Sequence, residues 1–271
     1  DVVVGKNYKN KNILAKKIFN RSCTNLHLSP SNLAKLIYKA NFSIGAGGIT
    51  TWERLCLALP ALIFSFSENQ KIVCENLKKE NLIYYINNLS KLSLHHLGNK
   101  IVSILKKRKD LSKKALNAPF YVDGFGTQRL AEVLYPSKKK DLKIRTVNQH
   151  DMQLYYHWVN EPLVRKNSFQ SKKIKIKEHQ KWFERKLKDR KSFLFVIEVN
   201  RLPVGQVRFE KINKRIMIDY SLDNIVRNRN WSKTMLILGI KKLIQSKSPL
   251  ICAKVRTSNL SSISVFLSLG F

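Results

Sequence analysis

Short apolar runs alternate with stretches of helical periodicity along the first half of the chain. Runs at residues 2–4, 23–28, 42–46, 61–66 and 82–85 read as buried strands, and stretches at 31–39, 51–59 and 69–80 read as helices. That alternation predicts a parallel sheet with crossover helices. A lysine-rich helical tract follows over 92–114, then the turn pair Asp123-Gly124 and a helix from 126 towards 134. Pro136 and the run Lys138-Lys139-Lys140 mark a boundary that divides the chain into 1–137 and 138–271. Beyond it come a strand at 142–147, helices at 151–160 and 177–187, and three successive strands at 193–199, 204–211 and 215–222. A helix at 231–245, a strand at 250–255 and a helix at 259–269 complete an α+β pattern. The two halves share no repeat.

Composition leaves that picture standing. The 271 residues are 44% hydrophobic and 25% charged, an ordinary globular balance with length for two domains. Charge is unusual, with 51 Lys and Arg against 18 acids and a net +33. The excess is mostly lysine and is spread along the chain, so a genome-wide coding bias explains it without a nucleic-acid partner. Cys23, Cys56, Cys74 and Cys252 show no CxxC spacing, which fits a reduced cytoplasm. The longest apolar run, 55–66, is interrupted by Pro60 and falls short of the ~20 residues of a membrane span. The start opens directly as a strand, without a basic leader or an initiator Met, and the end follows a helical pattern at Gly270-Phe271. Both ends therefore read as cut.

The most informative stretch of the first half runs from a short strand through Gly45, Gly47 and Gly48 into a helix. The free N–H groups from Gly48 to Thr51 would face a diphosphate, and Glu53, one turn in, could accept both ribose hydroxyls. Thr50-x-x-Glu53 is equally a capping box that needs no ligand. Segment 44–60, together with Ser67-Glu68-Asn69-Gln70, resembles the nucleotide-binding domain of the UDP-sugar hydrolase of pseudaminic acid biosynthesis, a relative of GT-B glycosyltransferases. Asp123-Gly-Phe-Gly-Thr-Gln-Arg129 resembles that family's closing segment, and the likeness covers about residues 1–135. It implies that Gly47, Gly48, Thr50 and Thr51 hold the diphosphate, Glu53 the ribose, and Asn69 with Gln70 the sugar side. The family's base histidine lies in a preceding glycine-rich domain. None of His27, His95, His96, His150, His157 and His179 sits in a comparable turn, so no hydrolytic base is assigned. Adjacent His95 and His96 point about 100° apart on a helix and read as a partly exposed pair, and no metal site is expected.

The second half resembles a GNAT-fold N-acetyltransferase of the type that acetylates nucleotide-linked amino sugars. The matching words are Tyr155-Tyr-His-Trp-Val-Asn-Glu-Pro-Leu-Val-Arg165, Ser168-Phe169, Glu178-His-Gln-Lys-Trp-Phe183, Pro203-Val-Gly-Gln-Val-Arg-Phe209, Ile218-Asp-Tyr-Ser-Leu-Asp223 and segment 259–271. The likeness implies acetyl-CoA as cofactor, its pantetheine arm along the end of the 219–223 strand and its pyrophosphate on the N–H groups of the following helix. The cofactor set is then Leu222, Arg227, Asn228, Arg229, Asn230, Trp231, Ser232, Lys233, Asn259 and Ser262. Asn230 and Ser232 stand where the family loop carries glycine, with Asn228 at a third common glycine position; asparagine tolerates positive φ better than other side chains. Phe266 replaces the tyrosine that many members use as thiolate acid, so the proton must come through water or another side chain. Glu210, Asp219 and Ser221 are candidates for water-mediated deprotonation of the amine, and each is also explained as a solvent-facing strand polar. Tyr155, Trp158, Trp182 and Phe183 read as core and cleft wall.

The fold expected is α/β: a Rossmann-like GT-B half domain with a parallel sheet, then an α+β GNAT acyltransferase domain. The function expected is acetyl transfer from acetyl-CoA to the 4-amino group of a UDP-linked amino-deoxy sugar, beside the UDP-binding half of a UDP-sugar hydrolase. Partners are acetyl-CoA and the UDP-linked sugar, with no membrane or nucleic acid, and a homodimer is compatible. A degenerate enzyme that keeps only ligand binding and a basic nucleic-acid binder stay open as alternatives.

Overall fold

The computed structural model describes residues 1–87, 89, 92–244 and 250–271. Contacts divide the chain into two units, Asp1–Val122 and Asp123–Phe271. In the first, β1 (Val2–Val4), α1 (Lys11–Phe19), β2 (Leu26–Leu28) and α2 (Leu33–Lys39) precede β3 (Ser43–Ala46), α3 (Thr50–Cys56), β4 (Ala61–Phe64), α4 (Glu68–Lys79), β5 (Tyr84–Ile86), α5 (Leu94–Lys106) and α6 (Arg108–Asn117). Every pairing is parallel, but the strands form two sheets, β1-β2 and β3-β4-β5, where the periodicity suggested one. β4 is buried at all four positions, as a central parallel strand should be. Ala61 and Ile63 pack with Leu55, Cys74 and Leu77, while Leu62 and Phe64 pack on the opposite face with Ile86 and Ile104. Each leucine, isoleucine and phenylalanine among them contributes roughly 1.5–3 kcal/mol of burial.

Local chemistry sets the ends. α3 stops before the expected 59 because Ala58 takes φ 59° and Pro60 follows. The lysine-rich tract is two helices that break at Lys107, with ψ 55°. The unexpected α1 buries only Ile18, so no apolar stripe announced it.

The second unit runs through α7 (Gly126–Leu134), β6 (Leu142–Thr146), α8 (Met152–Asn160), α9 (Pro162–Asn167), α10 (Ile176–Lys188), β7 (Ser192–Val199), β8 (Leu202–Ile212), β9 (Arg215–Leu222), α11 (Ser232–Leu243), β10 (Leu250–Ala253) and α12 (Leu260–Leu267). Gln245, the expected end of the helix from 231, lies outside the described residues. The sheet order is β10-β9-β8-β7-β6, antiparallel except for the parallel β10-β9 edge. Alternation along β7 sends Leu194 and Val196 towards Tyr155, Trp158 and Phe183, and Phe195, Ile197 and Val199 towards Met235 and Leu236 of α11. Gly239 lets α11 approach closely, since a Cβ there would lie 2.9 Å from Val207 Cγ1.

Contacts group α7 and the turn after it with this unit, which begins at Asp123. An ion pair ties α7 to the loop before α11. Glu132 is 4% exposed, accepts from Ser137 N (3.0 Å) and Ser137 Oγ (2.5 Å), and pairs with Arg229 (2.5 Å). α9, also unexpected, is started by Pro162 in its first turn and by the Glu161 carboxylate, which accepts from Val164 N at 3.1 Å.

Candidate active site

β9 outruns its neighbour. Its pairing with β10 ends at Ile218↔Ala253, whereas on the β8 side it continues through Asp219, Tyr220, Ser221 and Leu222. The last four residues of β9 therefore lack β10 along one edge, and a cleft of about 710 Å³ opens there. Strand alternation sorts the walls. Asp219 and Ser221 share a face with Arg208 and Gln206 of β8, and Tyr220 lies on the other face. Asp219 is paired with Arg208 at 2.7 Å. Ser221 Oγ accepts from Gln206 Nε2 at 3.0 Å, and Gln206 Oε1, in a side chain only 3% exposed, has no partner among the described residues. A buried acceptor left unpaired costs roughly 1–3 kcal/mol, so this carbonyl is poised for a donor that the protein does not supply.

The loop from β9 to α11 takes the shape the sequence left open. Asn228 and Asn230 adopt φ 63° and 56°, the conformation glycine would take, and Trp231 follows in the right-handed region. This alternation turns successive N–H groups into one concavity. Among the described residues, no acceptor meets the main-chain N–H groups of residues 230–234. Arg227 holds the loop's start, donating to Leu222 O (3.2 and 3.1 Å) and to Glu161 (2.7 Å), which keeps the Glu161 carboxyl below its usual range.

Of the expected donor residues, Leu222, Arg227, Asn228, Ser232, Asn259 and Ser262 line the cleft. Others serve the loop's own structure. Arg229 is bound to Glu132 and stacks 5.2 Å from the Trp231 ring, Trp231 is core at 3% exposure, and Lys233 donates to Ser268 O at 2.8 Å. Glu210 is drawn away as well: Lys186 holds it at 2.6 Å and it is not part of the cleft wall. Tyr155, Trp158 and Phe183 are core, with Trp182 in the wall.

Several wall residues went unassigned from sequence. Arg165 donates to Gln170 O (3.1 Å) and Ser168 Oγ (2.9 Å), while its buried Nε has no partner among the described residues. Arg256 donates to Ser168 O at 3.0 Å, and Lys254 lies beside it in the wall. Glu178 and Asp219 are the carboxylates of a wall otherwise rich in cations. His179 is pushed down to about 4 by burial and is neutral at pH 7, with Nε2 3.2 Å from Met152 O. Only the fold could gather these residues, because they come from four separate segments.

In the first unit, Gly47 meets Gln70, a Cβ on Gly47 lying 3.5 Å from Gln70 Cβ. Some groups there are satisfied internally, while among the described residues no acceptor meets the main-chain N–H groups of residues 48–50. Gly47 N donates to Phe64 O (2.8 Å), Thr51 N to Gly48 O (3.0 Å), and Thr51 Oγ1 to Ala46 O (3.2 Å). The Thr50–Glu53 capping box does not form, because Ile49 occupies the N-cap and no side chain caps the helix. Gln70 Oε1 accepts from Phe66 N, and Asn69 Oδ1 from Ser67 Oγ and Gln70 N, so both shape the turn into α4. His95 and His96 are exposed, bonded to Asn99 and Ser93.

Residues 141–271 match the acetyltransferase (GNAT) domain family. The C-terminal half is a GNAT acetyltransferase domain. Structures similar to it include the Vibrio cholerae spermidine N-acetyltransferase in complex with CoA and spermine, at 14% identity over 48% of this chain and 80% of that one, TM-score 0.45. A domain from Methanocaldococcus jannaschii is 24% identical over 48% and 87%, TM-score 0.42. An N-acetyltransferase from Staphylococcus aureus is 20% identical over 48% and 82%, TM-score 0.43. No curated protein matches the chain. GNAT domains use acetyl-CoA, and the cleft fits that donor: an unpaired strand edge, an orphaned buried Gln206 carbonyl and a free N–H concavity suit an amide-bearing arm with a diphosphate. Among the described residues, no helix is long and apolar enough to cross a membrane.

Proposed function

We propose that the GNAT domain acetylates the amine of an anionic, nucleotide-linked sugar, the 4-amino group of a UDP-linked amino-deoxy sugar. The observation that carries acetyl transfer is the unpaired end of β9 beside a helix whose first N–H groups are free. Acetyl-CoA supplies the activated acyl group. Leu222, Asn228, Ser232, Asn259 and Ser262 of the cleft wall bind that donor together with Asn230 at its left-handed turn, and Arg227, Arg229, Trp231 and Lys233 hold the loop in shape. On the opposite face, Asp219 and Glu178 take the amine proton through water, with Ser221 and Gln206 orienting the amine. The anionic acceptor is favoured by the unpaired Arg165 Nε and by Arg256 and Lys254, which a polycationic amine would oppose.

The first unit we propose as the UDP-binding half of a UDP-sugar hydrolase, with Gly47, Gly48, Thr50, Thr51, Glu53, Asn69 and Gln70 around the nucleotide. Its support is the motif resemblance and the meeting of Gly47 and Gln70 beyond the C-terminal ends of β3 and β4, where open parallel sheets bind ligands.

The test is free-thiol release from acetyl-CoA with a UDP-4-amino-6-deoxy sugar and, separately, with spermidine. Release with the sugar alone is the expected result. Release with spermidine alone overturns the acceptor class, and neither release nor acetyl-CoA binding leaves the degenerate reading. For the first unit, Glu53→Gln should weaken UDP binding by calorimetry, and unchanged binding removes Glu53 from the site.

A further inference from the structure

We propose that Glu132 is a positioning residue for acetyl-CoA: from α7 it holds Arg229, and with it the turn from β9 into α11 whose free N–H groups receive the diphosphate. The inference rests on the acetyl-transfer reading above. α7 ends at Leu134, before the segment 141–271 that matches the GNAT family, so the anchor lies outside the matched segment. Its carboxylate is fixed before it meets the loop. Ser137 donates to it from N (3.0 Å) and Oγ (2.5 Å), and Ser137 Oγ in turn accepts from Asn200 Nδ2 (2.9 Å) in the turn between β7 and β8. Glu132 thus ends a chain of hydrogen bonds that starts at the sheet.

Arg229 is where that chain meets the loop. It sits between the two left-handed residues, Asn228 (φ 63°) and Asn230 (φ 56°). Such backbone is costly for residues other than glycine and persists where the surroundings over-determine it. The Arg229 guanidinium supplies that determination: one arm goes to Glu132 Oε1 at 2.5 Å, the other to Ile225 O at 3.2 Å, and Cζ lies 5.2 Å from the centre of the Trp231 ring. With side-chain exposures of 4% for Glu132 and 23% for Arg229, the pair is shielded from the water and salt that weaken surface ion pairs. Charge alone argues the other way. A carboxylate behind the loop opposes an arriving anion, so removing it would tighten binding if its role were electrostatic and weaken binding if it holds the loop.

The experiment is calorimetry of CoA binding to the full chain. Glu132→Gln, which keeps the shape of the side chain and drops its charge, should weaken CoA about tenfold, or about 1.4 kcal/mol, at unchanged stoichiometry. Partial unfolding would instead lower the stoichiometry and keep the Kd. Arg229→Gln should also lose about tenfold, and the double variant about tenfold rather than a hundredfold, because both act through one contact. Arg229→Lys, the milder change, keeps the charge without the second arm to Ile225 O and should lose about threefold. In turnover, Glu132→Gln should raise the KM for acetyl-CoA about tenfold with kcat within about twofold. CoA affinity within about twofold of wild type, or tighter, in Glu132→Gln and Arg229→Gln overturns the role of Glu132 while leaving acetyl transfer intact. A wild type that binds no CoA overturns both.

Discussion

The turn from β3 to α3 and the loop from β9 to α11 both lead a strand into a helix past unbonded N–H groups, and they reach that arrangement with different residues. The turn at 45–48 uses three glycines, none at positive φ; Gly47 N and Thr51 N are bonded within the fold, while among the described residues no acceptor meets the N–H groups of residues 48–50. Packing explains two of the glycines: a Cβ on Gly47 would lie 2.5 Å from Cys74 Sγ, and the Arg54 guanidinium covers Gly45. The turn at 228–232 has no glycine, yet Asn228 and Asn230 accept the left-handed conformation, and the N–H groups beyond them stay free. A glycine-rich turn thus does not imply positive φ, and a turn without glycine can adopt it through asparagine.

The largest expected way to break this contrast is to cut the anchor of the second turn. Glu132→Ala leaves Arg229 without its partner in a mostly buried site and should cost about 4 kcal/mol in denaturant melts followed by tryptophan fluorescence. A loss below about 1 kcal/mol would show that α7 is not integral to the second unit.

Acid should act next. The folded pKa of His179, about 4, lies below its unfolded value of 6.5, so the unfolded state takes up the proton first. The stability of the second unit is then intact above pH 6.5 and falls by up to about 3 kcal/mol as pH drops towards 4. His179→Phe should flatten that slope, and a slope that survives the substitution rules the histidine out as its source.

Smaller changes probe the turns themselves. Asn230→Val forces a β-branched residue into the left-handed region and should weaken acetyl-CoA binding about tenfold, at about 1–2 kcal/mol in stability. Unchanged affinity would remove the N–H concavity from the site. The mildest is Gly48→Ala. Its Cβ meets open space and its φ is not positive, so the unit should gain about 0.5 kcal/mol, and a destabilised protein would mean the first turn needs glycine after all.

Much of the second unit was legible in the sequence. The strand at 215–222 is the element expected, and the asparagines at 228 and 230 behave as their side chains allow. What escaped was partnership. Glu210 and Asp219 are both ion-paired, with Lys186 and Arg208, but only Asp219 lines the cleft, and Arg229 is held by the carboxylate of Glu132, 97 residues away. Arg165, Lys254 and Arg256 share no spacing that could have marked them as one wall.

The sequence by itself determined the period of each element, the switch from parallel crossovers to an antiparallel meander, and the residue types able to adopt positive φ, because these are properties of neighbours a few positions apart. Tertiary structure alone decided where the units divide, which charges are already neutralised, and which buried polar atoms remain unpaired. Those outcomes depend on long-range pairing: Glu132 and Arg229 lie 97 residues apart, and the partners of a buried polar atom come from whichever segments the fold packs against it.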